Sequence, residues 1–209
     1  MLTVRKVQGR NHLIFYLIFA SATLLLGIIN LSLPIWIKYC WWEVGLFDAH
    51  NISRIKDFPG TDSIQTVHDK ACGDLKSYVQ RSCPSACDYL ENFKDAGIVM
   101  VVFGSLALVS NFINIGIILM KLFKKRVRSI LSINLYLPFI IWLIGFSIYA
   151  GVAHLGRIDS PVNKDEYNFD ADDYKVKVGA AIAITMIPLY LASGIYGWLV
   201  IRRLIVGLK

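Results

Sequence analysis

The sequence predicts an all-α membrane protein in which a four-transmembrane-helix bundle carries a small disulfide-braced extracellular cap that is partly β. Four apolar stretches predict the helices, at about residues 13–37, 97–120, 130–153 and 178–201. Each stretch exceeds the ~20 residues that an α-helix needs to cross a bilayer. None contains a Lys, Arg, Asp, Glu or His. We therefore expect residues 1–209 to form a single integral membrane domain.

The distribution of charge predicts the topology. All fifteen acidic residues lie in two polar segments, Glu43–Asp95 and Asp159–Asp173, whereas the other three polar segments carry only Lys and Arg. Short cytosolic segments are enriched in Lys and Arg. We therefore expect both termini to be cytosolic, with outer loops at about residues 38–96 and 154–177. A plasma membrane location is favoured, and an organelle membrane such as the inner mitochondrial one is the alternative.

The basic segments also indicate a partner. The chain has a pI of about 9.2, but its cytosol-assigned bases are divided among short segments next to the membrane. Such segments are attracted to anionic lipid. Membrane lipid is therefore the expected partner, and nucleic acid is not.

The first outer loop contains every cysteine of the chain, Cys40, Cys72, Cys83 and Cys87. An even number of cysteines in an oxidising compartment predicts two disulfides, for which three pairings are possible. Cys83 and Cys87 have three residues between them, one more than the C-x-x-C spacing of thiol oxidoreductases. The histidines show no zinc-finger spacing. We therefore predict no metal and no cofactor.

Other parts of the outer loops carry further signals. Asn51-Ile52-Ser53 is an acceptor sequence for N-glycosylation. The aromatic-rich segment 39–47 is typical of a strand, or alternatively of an interfacial tryptophan belt. In the second loop, Asp170, Asp172 and Asp173 belong to an acidic run. This run is either a solvated face or a contact for a basic partner or a divalent cation.

The predicted helices contain polar and small residues that favour helix packing. Asn30, Asn111, Asn114 and Asn134 are expected to form interhelical hydrogen bonds, since proton-coupled carriers usually show an ionisable residue in the membrane and these helices have none. Pairs of small residues four apart predict close helix approach; they are Ser147 and Gly151, Gly179 and Ala183, and Ser193 and Gly197. Pro34, Pro138 and Pro188 predict bends or helix ends.

The chain resembles the claudin and peripheral-myelin-protein superfamily of four-span proteins. The resemblance is carried by the topology and by a series in the first loop: Trp36, then Trp41 or Trp42, then Gly45-Leu46-Phe47, then Cys72 and Cys83. Phe47 stands where the superfamily has Trp, and Cys72 comes later than the first Cys of claudins. The resemblance implies a left-handed four-helix bundle under a small extracellular β-sheet. It also implies a bond between Cys72 and Cys83, which leaves Cys40 with Cys87.

Two functions follow from this resemblance. The first is a non-enzymatic role in cell–cell contact or membrane organisation through the outer loops, with copies of the same chain as partners. The alternative is an auxiliary structural subunit of a larger membrane complex, such as a channel, receptor or respiratory assembly. An enzyme is not expected, because no catalytic constellation is visible and His12, His50, His68 and His154 all lie in loops or near membrane boundaries.

Overall fold

The computed structural model describes residues 2–39, 42–51, 61–73, 75–77, 79, 86–123, 134–153 and 175–206. Its elements, in chain order, are α1 (Leu2–Ser32), β1 (Ile37–Tyr39), β2 (Trp42–Val44), β3 (Asp48–Asn51), β4 (Thr61–Ser63), α2 (Ile64–Cys72), α3 (Ala86–Leu122), α4 (Leu137–Val152), β5 (Lys175–Val176) and α5 (Val178–Val206). Helices α1, α3 and α5 are long and apolar enough to cross a membrane, and so is the helical segment Asn134–Val152, which contains α4. The prediction of four helices with the length and composition of membrane spans is therefore confirmed within the described residues.

The ends of the helices differ from the expected bounds. Helix α1 ends at Ser32 rather than near residue 37, because Pro34 disfavours a helical conformation in the residue before it. Helix α3 begins at Ala86 and contains 37 residues, a length of about 55 Å at 1.5 Å per residue. It is thus much longer than a ~30 Å hydrocarbon core requires. The other two prolines lie within helices, Pro138 in the first turn of α4 and Pro188 inside α5.

A small antiparallel sheet forms from both polar segments that were predicted to lie outside. Its strand order is β4-β3-β2-β1-β5. The first four strands come from the segment that contains the cysteines, whereas β5 comes from the end of the acidic segment. The segment 39–47, expected as one strand, instead contributes to two strands, since β1 pairs with β2 through Ile37↔Val44 and Tyr39↔Trp42. The partly β character predicted for the cap is confirmed.

Contacts between residues divide the chain into two compact units. The first unit comprises Met1–Ile29, Phe103–Ile144 and Ile184–Lys209, and the second comprises Asn30–Val102 and Gly145–Ala183. Each unit contains parts of the four long helices. The sheet and α2 belong entirely to the second unit.

The first unit has a core of helix side chains. One buried cluster contains Leu13, Tyr16 and Ala20 of α1, Ile118 of α3, Val200 of α5, and Leu135, which lies just before α4. One of the predicted polar contacts joins two helices here. Asn111 donates its amide to the carbonyl of Ala20 (3.1 Å) and to Thr23 Oγ1 (3.2 Å). Because such groups have no water to bond to in a bilayer, these bonds hold α3 against α1.

A second polar contact in this unit joins α3 to the start of α4. Asn114 Nδ2 donates to the carbonyl of Asn134 (3.1 Å), and Asn134 Nδ2 donates to Asn114 Oδ1 (2.8 Å). The two residues therefore form a closed pair. It satisfies a backbone carbonyl just before α4 begins.

The predicted small-residue pairs have different outcomes. In the first unit, a Cβ added at Gly197 would lie 2.7 Å from the ring of Tyr16, and in the second unit one added at Gly179 would collide with Trp36. Both glycines therefore permit close packing, as expected. Ser147 and Gly151 are exposed on α4, so this pair makes no close helix contact among the described residues. A Cβ added at Gly151 meets no atom within 4 Å in the part of the chain that the structure describes.

Candidate functional site

One side of the sheet is polar, and it forms the main candidate for a recognition surface. Side chains alternate between the two faces of a strand, and the strand register places one set of residues together. We call this side the polar face; it comprises Lys38, Glu43, Asp48, His50, Thr61 and Ser63. Asp48, His50, Thr61 and Ser63 are exposed, whereas Lys38 and Glu43 are half-buried.

Cross-strand contacts order the polar face. Lys38 lies opposite Glu43 on β2 and opposite Lys175 on β5. Just beyond β5, Lys177 Nζ lies 3.6 Å from Glu43 Oε1. On the other half of the sheet, the His50 and Thr61 side chains share a hydrogen bond between β3 and β4. The surface thus presents charges of both signs, together with hydroxyl and imidazole groups, at positions held by the backbone.

On its opposite side, the sheet is apolar and buried at four positions of β1, β2 and β3. Ile37, Trp42, Val44 and Ala49 are each at most 1% exposed. Helix α2 packs against β3 and β4 and contributes buried Ile64, Val67 and Ala71 to the same unit. Full burial of a Val or Ile side chain contributes ~1.5–3 kcal/mol to the stability of the fold. The polar face is therefore backed by a packed core.

Trp36 links the two segments that are predicted to lie outside. Its backbone N–H donates to the Val44 carbonyl (2.8 Å), and its carbonyl accepts from the N–H of Lys177 (2.9 Å). Its ring is fully buried and meets Tyr149 edge-on, with the ring centroids 5.2 Å apart. Strand β5 pairs with β1, which begins directly after Trp36. Trp36 therefore joins the end of the second polar segment to the start of the first polar segment.

The Gly45-Leu46-Phe47 series forms the turn between β2 and β3. A Cβ added at Gly45 would lie 2.6 Å from the Pro34 carbonyl oxygen, so only glycine fits without displacement of the backbone. Leu46 is buried, and its carbonyl abuts Gly97 of α3 so closely that any side chain at Gly97 would collide with it. Phe47 is 55% exposed, and its carbonyl accepts from the N–H of Ile64 (2.9 Å). The turn is thus fixed against two helices.

Helix α2 is held at both ends. Ser63 caps its start, since the Ser63 hydroxyl accepts from the N–H of Thr66. At the other end a disulfide joins Cys72 to Cys87, with their Cα atoms 5.7 Å apart. The expected pairings of Cys72 with Cys83 and of Cys40 with Cys87 are therefore wrong. Cys72 is the last residue of α2 and Cys87 the second residue of α3, so the start of α3 brings the two together. Cys40 and Cys83 lie outside the described residues.

A polar network also ties α2 to α3. Lys94 Nζ donates to Gln65 Oε1 (3.0 Å), and Gln65 Nε2 donates to Asp69 Oδ1 (2.8 Å). The hydrogen bond from Gln65 lowers the pKa of the Asp69 carboxyl, and a contact with His68 adds to this effect. Because the folded-state pKa is lowered, this contribution to stability is present at neutral pH and is lost as the pH falls through that pKa.

Most of the remaining predicted site residues lie outside the part of the chain that the structure describes. Asn51 is the last residue of β3, whereas Ile52 and Ser53 of its acceptor sequence lie outside the described residues, as do Trp41, Asp170, Asp172 and Asp173. Within the described ranges, no three His, Cys, Asp or Glu side chains are placed to hold a metal ion. Sequence reasoning missed the polar face. Its signal is the alternation of apolar and polar residues in Ile37-Lys38 and in Trp42-Glu43-Val44.

Comparisons of the chain with known proteins do not assign a function to the polar face. A scan of the chain against protein-family models finds no match, and a search of the curated proteins finds none. The resemblance to the claudin and peripheral-myelin-protein superfamily therefore stays a prediction.

Proposed function

We propose that this chain is a non-enzymatic four-span membrane protein that acts in cell–cell contact or membrane organisation through its outer loops, with the polar face as its recognition surface. The observation that carries the proposal is the composition of the sheet: strands from two separate polar segments join in one sheet. A rigid surface loses little conformational entropy on binding. The arrangement also agrees with the small outer sheet that the claudin-like resemblance implies.

Three features support the rigidity of this surface. Trp36 joins β5 to the start of the sheet through backbone bonds and a buried ring. The Gly45 turn is held against Pro34, and the disulfide ties α2 to α3. A partner would thus meet a preformed arrangement of charges and hydrogen-bonding groups. Copies of the same chain are the first candidates, and an outer location of the sheet is part of the proposal.

Aggregation of non-adherent cells tests this function. Two populations that express the chain with different fluorescent labels should form mixed aggregates, and Asp48→Ala with His50→Ala should reduce them severalfold. The matched control is Lys70→Ala with Lys76→Ala, which removes two exposed side chains of the same unit away from the sheet. Equal aggregation by both variants, or none by the unaltered chain, would contradict the proposal.

The acidic run is tested in the same assay. If Asp170, Asp172 and Asp173 bind a basic partner surface, their replacement by Asn should reduce aggregation. Aggregation of cells that express the unaltered chain should weaken as salt is added, because exposed charges are screened within about 8 Å at physiological ionic strength. Aggregation that is unchanged by both treatments would make the run a solvated face only.

The alternative function as an auxiliary subunit rests on a different observation. Ser147 and Gly151 form an exposed small-residue stripe on α4, and such stripes allow close approach of another helix. Purification in mild detergent separates the two functions. Recovery of self-associated chain supports contact between copies, whereas a stoichiometric larger partner supports the subunit role.

A further inference from the structure

The first compact unit contains no acidic residue. Its segments, Met1–Ile29, Phe103–Ile144 and Ile184–Lys209, carry eleven Lys and Arg and no Asp or Glu, a formal charge of +11. All fifteen acids belong to the second unit, which also has eleven bases and a formal charge of −4. No base of the first unit can therefore form an ion pair with an acid of that unit.

Helix packing brings two of these basic segments to one level. His12 Nδ1 lies 2.9 Å from Tyr196 Oη, and the rings of Tyr16 and Tyr196 are stacked. Leu13 and Val200 belong to the same buried cluster. Residues that precede Leu13 on α1 therefore lie at the same end as residues that follow Val200 on α5.

The bases follow immediately beyond this buried layer. Arg10 and Arg203 are each three residues, or about 4.5 Å along a helix, beyond Leu13 and Val200 respectively. Arg202 adjoins Arg203, and Arg5 and Lys6 lie about one turn beyond Arg10. Both helices continue through these positions, since α1 begins at Leu2 and α5 ends at Val206. We call this set the basic end; it comprises Arg5, Lys6, Arg10, Arg202 and Arg203.

A third helix adds a base at the same level. Leu122 of α3 packs against the cluster that contains Leu13 and Val200, and its neighbour Lys121 is half-exposed. The aromatic side chains of Phe15 and Tyr196 pack edge-on at this end of the helices, with their centroids 5.6 Å apart. Tyr is enriched at the level of the lipid headgroups.

The composition of the basic end indicates the ligand. Like charges brought together repel one another, and a lipid with one net charge offsets only one of them. Four of the five residues are Arg, whose planar guanidinium binds phosphate oxygens in bidentate fashion. A headgroup with several phosphates would offset several bases at once. We propose that the basic end binds the headgroup of a membrane phospholipid that carries two or more phosphate groups.

Binding of defined lipids to the purified full chain in detergent tests this site. Phosphatidylinositol bisphosphate should bind at least tenfold more tightly than phosphatidylserine, and phosphatidylcholine should not compete. Each base near a lipid surface contributes about fivefold in affinity. Arg202→Gln with Arg203→Gln should therefore weaken bisphosphate binding about 25-fold. Arg202→Lys with Arg203→Lys should give a smaller loss, since charge is kept and the bidentate geometry is not.

A matched variant controls for charge alone. Lys70→Gln with Lys76→Gln removes two bases from the second unit and should leave lipid binding unchanged, while the melting temperature of each variant without lipid reports its folding. Equal affinities for the bisphosphate and the serine lipid, or equal losses in the two Gln variants, would overturn the proposal. Soluble inositol trisphosphate should bind at least tenfold more weakly than the lipid. Equal binding of the two would contradict the proposal that the phosphate groups recognised by the basic end belong to a lipid.

Discussion

At the scale of single residues, the helix glycines divide into packed and open positions. A Cβ at Gly197 would lie 2.7 Å from the Tyr16 ring, and one at Gly27 would lie 2.7 Å from Leu108 Cδ2. At Gly116 and Gly151, an added Cβ would meet no neighbouring atom within 4 Å in the described part of the chain. In a helix, Ala is favoured over Gly by ~0.5–1 kcal/mol, whereas overpacking costs ~1–3 kcal/mol.

The substitution Gly→Ala should therefore change stability in opposite directions. We expect Gly197→Ala and Gly27→Ala to lower the melting temperature in detergent, and Gly116→Ala and Gly151→Ala to leave it unchanged or raise it. A thermal unfolding series on the four variants measures this. A loss of stability at Gly151 equal to that at Gly197 would mean that α4 is covered by a partner in the preparation.

The pair of Asn114 and Asn134 makes a second prediction for single residues. Asn114→Ala should destabilise the chain by about 1–2 kcal/mol, given that bonds between membrane helices contribute ~0.6 kcal/mol on average and ~1.7 at most. Asn134→Ala should cost less, because its backbone carbonyl still accepts from Asn114. Reversible unfolding of both variants and of the double variant gives the coupling energy. Additive losses would show that the pair does not form.

At the scale of elements, the disulfide determines where α2 is held. The Cys72–Cys87 bond closes a sequence separation of 15 residues, which corresponds to about 3 kcal/mol in the chain-entropy model. Cys72→Ser with Cys87→Ser should lower stability by about this amount. With Cys72 and Cys87 paired, we expect the other two cysteines, Cys40 and Cys83, to pair with each other.

Peptide mapping of the unreduced, alkylated protein measures both bonds. The expected fragments join Cys72 to Cys87 and Cys40 to Cys83. A fragment that joins Cys72 to Cys83 would support the pairing that the superfamily resemblance implies. Free thiols at Cys40 and Cys83 would show that the second bond does not form.

The elements differ in how far the sequence predicts them. Long apolar runs predict the four spans, because a bilayer requires a continuous helix with all backbone bonds made internally. The 11 residues of α3 before Gly97 are polar and apolar in mixture, so hydropathy places its start too late. Strand β5 has only two residues and owes its place to pairing with β1, a contact across almost 140 positions that no local pattern records. The partner of Cys72 is decided in the same way, by where α3 begins.

The candidate site shows the same limit at the scale of side chains. The alternation of Trp42, Glu43 and Val44 predicts one buried and one polar face for a strand. It does not say which strands lie next to it, and His50 and Thr61 become neighbours only through the β3–β4 register. The sequence marks Trp36 as part of a motif, but its role depends on Gly179, which follows it by more than 140 positions and leaves room for its ring.

At the scale of the whole molecule, the separation of charge between the two units makes the last prediction. The unit that contains both chain ends has eleven bases and no acid, whereas all fifteen acids belong to the unit that contains the sheet. Since short basic segments are retained in the cytosol, epitope tags at either end should be inaccessible to antibody in intact cells and accessible after permeabilisation. Asn51, in the acid-containing unit, should carry a glycan.

Glycosidase treatment gives an independent reading of the same topology. It should increase the gel mobility of the unaltered protein, and Asn51→Gln should abolish this shift. A glycan at Asn51 is incompatible with a tag that is exposed in intact cells, because Asn51 and the tags are assigned to opposite sides of one membrane. Staining of either tag without permeabilisation would reverse the topology. It would also move the basic end to the outer leaflet and the polar face away from other cells. A protected tag without a glycan would contradict only the modification at Asn51, since an acceptor sequence is not always used.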